Sequence, residues 1–310
     1  MNPVIYPKMA VIGCGLIGSS VIRAARAAGV VETVQVFDLN PQSRAEIESL
    51  GYADAVFDDA AAAVQGADLV VLATPPLSLA AAAAAAAPGF KAGVTLTDVG
   101  SVKGGVGAAL ASVAGEDAFV IPGHPLAGTE NSGPAAGFST LFQNRWTILC
   151  PLEGREDAPY QEALTRLERF WAAMGANVEV MDERHHDLVL AVTSHLPHLI
   201  AYNIVGTAAD LEAVTQSEVI KFSASGFRDF TRIAASDPTM WRDVFLMNKE
   251  AVLEILGRFT EDLQALSRAI RWGEGDKLHE LFTRTREIRR GVIAAGQESA
   301  EPNFGRDRRP

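Results

Sequence analysis

The sequence predicts an α/β fold, with a doubly wound, mostly parallel sheet in the N-terminal half and an all-helical domain after it. Three observations carry this. Short apolar runs alternate with helical ones from Lys8 to Cys150, helical periodicity takes over from Arg184 to Ile293, and a glycine-rich turn joins the first strand to the first helix. A length of 310 residues suits two domains at roughly 150 residues each.

Taken in order, the apolar stretch 9–13 is the first strand and 16–28 the first helix, stopped by Gly29. Residues 34–37 read as a second strand and 41–50 as a second helix. Asn40 is its N-cap and Pro41 its first position, where a missing N–H costs nothing. Further buried strands are expected at 68–73, 94–97, 118–121 and 146–149, all in the same sheet. The alanine block 80–87 is a helix stopped by Pro88 and Gly89, because alanine is the best helix former.

After Pro151 the one strand-like stretch is 177–181, and helices fill 184–293 with breaks near Gly206, residues 223–226, Pro238 and residues 273–275. Leu246, Leu253, Leu256, Phe259 and Leu263 recur at three- and four-residue spacing. That apolar face is either internal core or an interface with a second copy. The expected domains are 1–151 and 152–296, with a polar tail over 297–310.

Composition bounds the partners. With 48% hydrophobic and 21% charged residues the chain can bury real cores, which excludes wholesale disorder. The formal charge is −11 and neither half is basic, so a nucleic-acid role is excluded. Two cysteines, Cys14 and Cys150, support neither a disulfide framework nor a cysteine zinc site and suit a reduced, cytoplasmic setting. Residues 9–22 imitate a signal peptide, but glycines at 13, 15 and 18 interrupt them. No apolar run reaches the roughly 18 residues of a membrane span.

Gly13-Cys-Gly15-Leu16-Ile17-Gly18 fits G-x-G-x-x-G directly after a strand and at the opening of a helix. The first glycine permits the turn, the second lets backbone approach a pyrophosphate, and the third lets helix pack on strand. Asp38 lies 20 residues beyond Gly18 at the end of the next strand, where a carboxylate binds the ribose hydroxyls and repels a 2′-phosphate. This is a Rossmann-type dinucleotide site, for NAD in preference to NADP, although Arg44 is close by. Thr74 and Pro75 leave another strand at the same sheet edge, as does Ser101.

Gly123-His124-Pro125 through Gly133 packs His, Thr129, Glu130 and Ser into what reads as a loop at that edge. His124 is suited to accept a proton near neutral pH. His195 and His198 stand three apart, on one helical face if Pro197 sits in a first turn. They lack the further ligands a metal site needs, so no metal is expected. His185 and His186 read as a solvated helix start. Arg228 and Arg232, four apart, form a cation pair suited to a carboxylate, or a surface ion pair.

Together G-x-G-L-I-G-S-S, T-D-V-G-S-V-K, G-H-P-L-A-G-T-E-N-S-G, S-H-L-P-H and G-F-R-D-F-T-R-I-A-x-S-D-P-x-M-W, in order from about Lys8 to Gly291, resemble the prephenate/arogenate (cyclohexadienyl) dehydrogenases of tyrosine biosynthesis. The resemblance implies a Rossmann domain followed by a helical dimerisation domain, hence a homodimer. It also implies oxidative decarboxylation of prephenate or arogenate with NAD. It makes His124 the catalytic histidine, with Ser101 beside it and the nicotinamide and bonded to its other ring nitrogen. Arg232 becomes the clamp on a substrate carboxylate, and Thr129, Glu130, His195, His198 and Arg228 line or gate the pocket. Family members commonly carry Lys where Arg228 stands, which keeps the charge but alters the fork geometry.

Activity should fall as His124 protonates near its ~6.5 reference. Neither a fused chorismate mutase nor an ACT domain fits the chain length. Two alternatives stay open. One is a β-hydroxyacid dehydrogenase-like enzyme, whose G-x-x-x-N-x-x-K setting is not found; the other is an NAD-binding or redox-sensing protein without turnover.

Overall fold

The computed structural model describes residues 3–129, 131–215 and 223–294. Among them, six parallel strands form one sheet: β1 (Tyr6–Ile12), β2 (Val31–Phe37), β3 (Ala55–Phe57), β4 (Leu69–Leu72), β5 (Thr95–Asp98) and β6 (Phe119–Val120). Their order is β3-β2-β1-β4-β5-β6. The winding reverses between β1 and β4, so the carboxyl ends of these strands flank the crevice where such sheets bind ligands.

Strand period sorts the core into two layers. Met9 and Val11 face a cluster with Val21 and Ile22 of α1 (Leu16–Ala28), whereas Ala10 and Ile12 face one with α3 (Ala60–Val64), α4 (Leu79–Ala86) and α5 (Val106–Ala114). In α2 (Pro41–Leu50) the Asn40 side chain accepts the Gln42 N–H at 2.9 Å and Pro41 opens the helix, as the sequence requires. The three-residue β3 has no sequence signal of its own and exists by pairing with β2.

A second sheet holds β7 (Gly123–Pro125), β8 (Trp146–Leu149) and β9 (Asn177–Val180), in that order. Two expectations are corrected here. The stretch 146–149 does not extend the parallel sheet, and His124 lies on a strand, not a loop. Pro122 has no N–H to continue β6, and its carbonyl instead accepts the Cys150 N–H at 2.8 Å. The chain therefore leaves the first sheet, and β7 pairs antiparallel with β8, His124 opposite Ile148.

The helix α6 (Ala158–Ala173) completes the first core layer with Tyr160, Leu167, Phe170 and Trp171, and the Tyr160 hydroxyl donates to the Val120 carbonyl at 2.8 Å. There follow α7 (Glu183–Leu190), one wide π-helical turn (Ala191–His195), α8 (Leu196–Thr215), α9 (Ser225–Thr231), α10 (Pro238–Met247), α11 (Lys249–Arg271) and α12 (Gly275–Ala294).

The π turn explains Pro197. It sits near the start of α8 in a continuous helical run, where the widened turn takes up the missing N–H and the ring. The run Glu183–Asp210 is long and apolar enough, at mean hydropathy 1.4, to cross a bilayer by length and composition. Its buried face nevertheless carries His186, Asp187 and His195 beside Leu190, Ala191 and Ala201.

The chain divides into two compact units after Val252. The second contains most of α11 and all of α12 and exposes Leu253, Leu263, Ile270, Trp272, Phe282 and Ile288. The tail 297–310 lies outside the described residues.

Candidate active site

The glycine turn is built as its spacing requires. Gly13 has φ +85°, and a Cβ there would stand 2.8 Å from the Ala73 carbonyl oxygen; one on Gly18 would stand 2.3 Å from that of Gly13. A Cβ on Gly15, the N-cap of α1, would meet nothing within 4 Å. Backbone contact thus closes the turn on two sides and leaves open space at a helix N-terminus, where N–H groups attract a phosphate.

Leu16 and Ile17 form the first turn of α1 and pack against the core. Across the crevice Thr74 follows β4 with its Oγ1 buried and unpartnered, and the exposed Pro75 comes next. Asp38 ends β2 with Oδ2 accepting the Cys14 N–H (2.8 Å) and Oδ1 the Asn40 N–H (2.9 Å). Arg44 is tied to the carbonyls of Asp38 (2.8 Å) and Leu39 (3.2 Å). The open cradle, the orphaned hydroxyl and the fixed carboxylate fit a dinucleotide without a 2′-phosphate.

Behind the crevice, β5 ends in a buried ion pair. Lys103 and Asp98 are in direct contact, both side chains fully out of solvent. Lys103 Nζ also donates to the Gly123 carbonyl (2.7 Å), and Asp98 accepts the N–H groups of Gly100 (2.7 Å) and Gly123 (3.2 Å). These bonds lock the end of β5 to the start of β7 and so fix the backbone that carries His124.

His124 is 7% exposed, and its Nδ1 lies 2.8 Å from Nε2 of His186. His186 Nδ1 lies 2.7 Å from Oδ1 of Asp187, whose carboxylate also takes the backbone N–H groups of Lys103 and Gly104, each at 2.8 Å. Burial above all, then the cost of adding a further charge beside His186, Lys103 and His195, holds His124 well below the ordinary imidazole range. The sequence expectation of titration near 6.5 is therefore corrected downwards. Burial also lowers His186, against the pull of Asp187.

The reading of His186 as solvated is wrong. His185 is exposed, whereas His186 is fully buried, because it shares the inward face of α7 with Leu190 four residues on. That spacing was the available signal for His186. Asp98 and Lys103 stand in T-D-V-G-S-V-K, where the sequence assigned them no role, and Asp187 and Asn248 had no comparable local signal. Ser101 is half-buried next to this cluster, but the hydrogen bond expected from it to His124 is replaced by that of His186.

His195 is fully buried at the end of the π turn. Asn248 Nδ2 donates to its Nδ1 (3.1 Å) and to the Asp187 carbonyl (2.8 Å). His195 Nε2 makes no hydrogen bond and so is left as a buried donor; the Ser101 backbone is near enough to raise its pKa slightly without bonding geometry. His198 stacks on Trp241 at 3.6 Å between centroids, its Nδ1 bonded to the Ser194 carbonyl at 2.9 Å. Burial lowers the pKa of His198, and the nearby charge of Arg232 adds to the shift.

The backbone N–H of Arg232 bonds the Arg228 carbonyl, one helical turn back, and both residues are exposed. Thr129 is exposed and its hydroxyl accepts the Asn131 N–H at 3.2 Å. Glu130 lies outside the described residues.

Burial drives His195 down to about 4. Between that value and its unfolded value near 6.5 the unfolded chain binds the extra proton, so stability falls as pH drops through this window. The loss is about 3 kcal/mol at 1.36 kcal/mol per unit. Urea unfolding at pH 7 and pH 4.5 should show His195→Gln losing less on acidification than the parent; equal losses would contradict the assignment.

Comparison with known proteins agrees with this geometry. Residues 21–180 match the model of the prephenate dehydrogenase nucleotide-binding domain, and residues 182–284 match that of the prephenate dehydrogenase dimerization domain. The chain is 41% identical over 285 residues to a cyclohexadienyl dehydrogenase of Zymomonas mobilis, covering 92% of this chain and 96% of that one. It is 30% identical over 293 residues to a prephenate dehydrogenase of Bacillus subtilis, covering 94% and 77%. The crystal structure of prephenate dehydrogenase from A. aeolicus in complex with hydroxyphenyl propionate and NAD⁺ superposes with a TM-score of 0.84 at 32% identity, covering 92% of this chain and 98% of that one.

Proposed function

The chain belongs to the prephenate dehydrogenase family, and on that premise we propose how its own residues carry out the reaction. It is an NAD-dependent enzyme of tyrosine biosynthesis that oxidatively decarboxylates prephenate to 4-hydroxyphenylpyruvate, arogenate to tyrosine, or both. The observation that carries the residue assignment is a buried imidazole, His124, fixed by its Nδ1 on β7, next to Gly123, which is tied to Asp98 at the carboxyl end of β5.

Gly13, Gly15, Leu16, Ile17, Gly18, Asp38, Thr74 and Pro75 would hold NAD, which when bound supplies the hydride acceptor. His124 Nε2 accepts the proton of the substrate ring hydroxyl, and loss of the ring carboxylate as CO₂ aromatises the product and makes the step irreversible. Arg232, with Arg228 beside it, pairs with a substrate carboxylate and fixes the ring against the base. The unpartnered His195 Nε2 donates to a substrate oxygen, His198 packs the wall with Trp241, and Ser101, Thr129 and Glu130 complete the pocket.

We further propose a homodimer formed through the helical part, supported by the exposed Leu253, Leu263, Ile270 and Trp272, and a cytoplasmic location, supported by two buried free cysteines. The functional division into nucleotide-binding and helical parts, expected at 151/152, is better drawn after β9, since α6 packs into the first core.

NADH absorbance with purified protein, NAD⁺ and either prephenate or L-arogenate tests the reading. Turnover is expected, and kcat/KM with NADP⁺ should be lower by at least about tenfold, a 1.4 kcal/mol difference. Protein that binds NADH yet oxidises neither substrate would sink the assignment in favour of non-catalytic NAD binding.

A further inference from the structure

We propose that His186 and Asp187 are positioning residues that fix the tautomer of His124, so that its Nε2 always carries the lone pair that takes the substrate proton. The inference rests on the reading of His124 as the base. Asp187 is held in place by the backbone N–H groups of Lys103 and Gly104, at 2.8 Å on Oδ1 and Oδ2, and a carboxylate can only accept. His186 Nδ1, 2.7 Å from Oδ1, must therefore donate. A neutral imidazole with a proton on Nδ1 has its lone pair on Nε2, so His186 Nε2 accepts the 2.8 Å bond from His124. His124 Nδ1 is then the protonated nitrogen and Nε2 the bare one. The opposite tautomer of His124 would set two lone pairs against each other in a site without solvent.

The rings are not free to exchange roles. They meet edge to face, with centroids 5.1 Å apart and planes at 63°, and both are buried. The Asp187 carbonyl is in turn held by Asn248, so the start of α7, the segment leaving β5 and the end of α10 all brace the pair. When His124 gains the proton, its Nδ1–H bond to His186 becomes charge-assisted and strengthens, and the Asp187 carboxylate lies one ring further on. Stabilisation that grows as charge develops accelerates the chemical step and leaves ground-state binding unchanged.

The test pairs two substitutions at one position. His186→Phe fills the space but removes the acceptor, whereas His186→Gln restores a side-chain oxygen to meet the His124 N–H. His186→Phe is expected to lower kcat on the order of 10²-fold, with KM for substrate and NAD⁺ within about a factor of two, and His186→Gln to recover most of the loss. Nitrogen-15 NMR of the parent protein should report His124, identified by its absence in His124→Asn, as the Nδ1-protonated tautomer.

A parent enzyme with the Nε2-protonated form, or His186→Phe with unchanged kcat, overturns the proposal. The parent spectrum decides the matter even if His186→Phe does not fold. Should His124→Asn retain full turnover, the base assignment itself fails. If it is inactive while His186→Phe is fully active, only the tautomer proposal fails.

Discussion

Replacing His124 with asparagine is expected to lower kcat by roughly 10²- to 10⁴-fold while leaving NADH binding intact. Asparagine can still hydrogen-bond the ring hydroxyl and fits the β7 strand, so KM should move little. What it cannot do is accept a proton as the hydroxyl is oxidised. The cofactor residues lie on other elements, the turn after β1 and the ends of β2 and β4, and are untouched by the change.

The same argument fixes the sign of the pH profile. The reactive form is neutral His124; burial first, then the neighbouring His186, Lys103 and His195, disfavour its protonation, so activity persists below the ordinary histidine pKa and is lost only on further acidification. Full turnover by His124→Asn, measured with saturating NAD⁺, would contradict the role. An acid limb centred at or above 6.5 in the parent would contradict the electrostatics.

What could be read from the sequence was what local chemistry determines. The glycine turn, Asp38 at the end of the second strand, the Asn40 cap and Pro41 are fixed by neighbours a few residues away, and the structure has them as expected. The parallel, doubly wound character of the first sheet follows from alternating strands and helices. Residues whose meaning depends on distant partners were not legible. His186 meets His124 across 62 positions and Lys103 Nζ finds its backbone acceptor, the Gly123 carbonyl, 20 positions away, so local spacing marks His186 as inward-facing but names neither partner.

β8 shows the same limit. Its apolar run says strand, but only the exit of the chain at Pro122 decides which sheet it joins. Ser101 lay at the expected sheet edge, yet the bond ascribed to it went to a histidine that looked like surface.

The largest stability effect is expected at Lys103. A buried ammonium is retained only because Asp98 and the Gly123 carbonyl satisfy it, and removing one partner of such a pair costs about 3–5 kcal/mol by leaving the other charge uncompensated. Lys103→Met should therefore consume a large share of the roughly 5–15 kcal/mol that holds a typical domain folded, seen as a lower urea midpoint at unchanged slope. Asp98 keeps the N–H groups of Gly100 and Gly123, which places the loss nearer the lower bound.

The double variant Asp98→Asn/Lys103→Met removes both charges and should recover part of the loss, giving a coupling energy that a merely bulky lysine would not produce. A Lys103→Met protein as stable as the parent, or a double variant no better than the single one, would show that the pair is not the clamp. Because the clamp holds Gly123, whatever Lys103→Met loosens is passed directly to the next residue, His124, and the surviving folded fraction should turn over more slowly than the parent at saturating substrate.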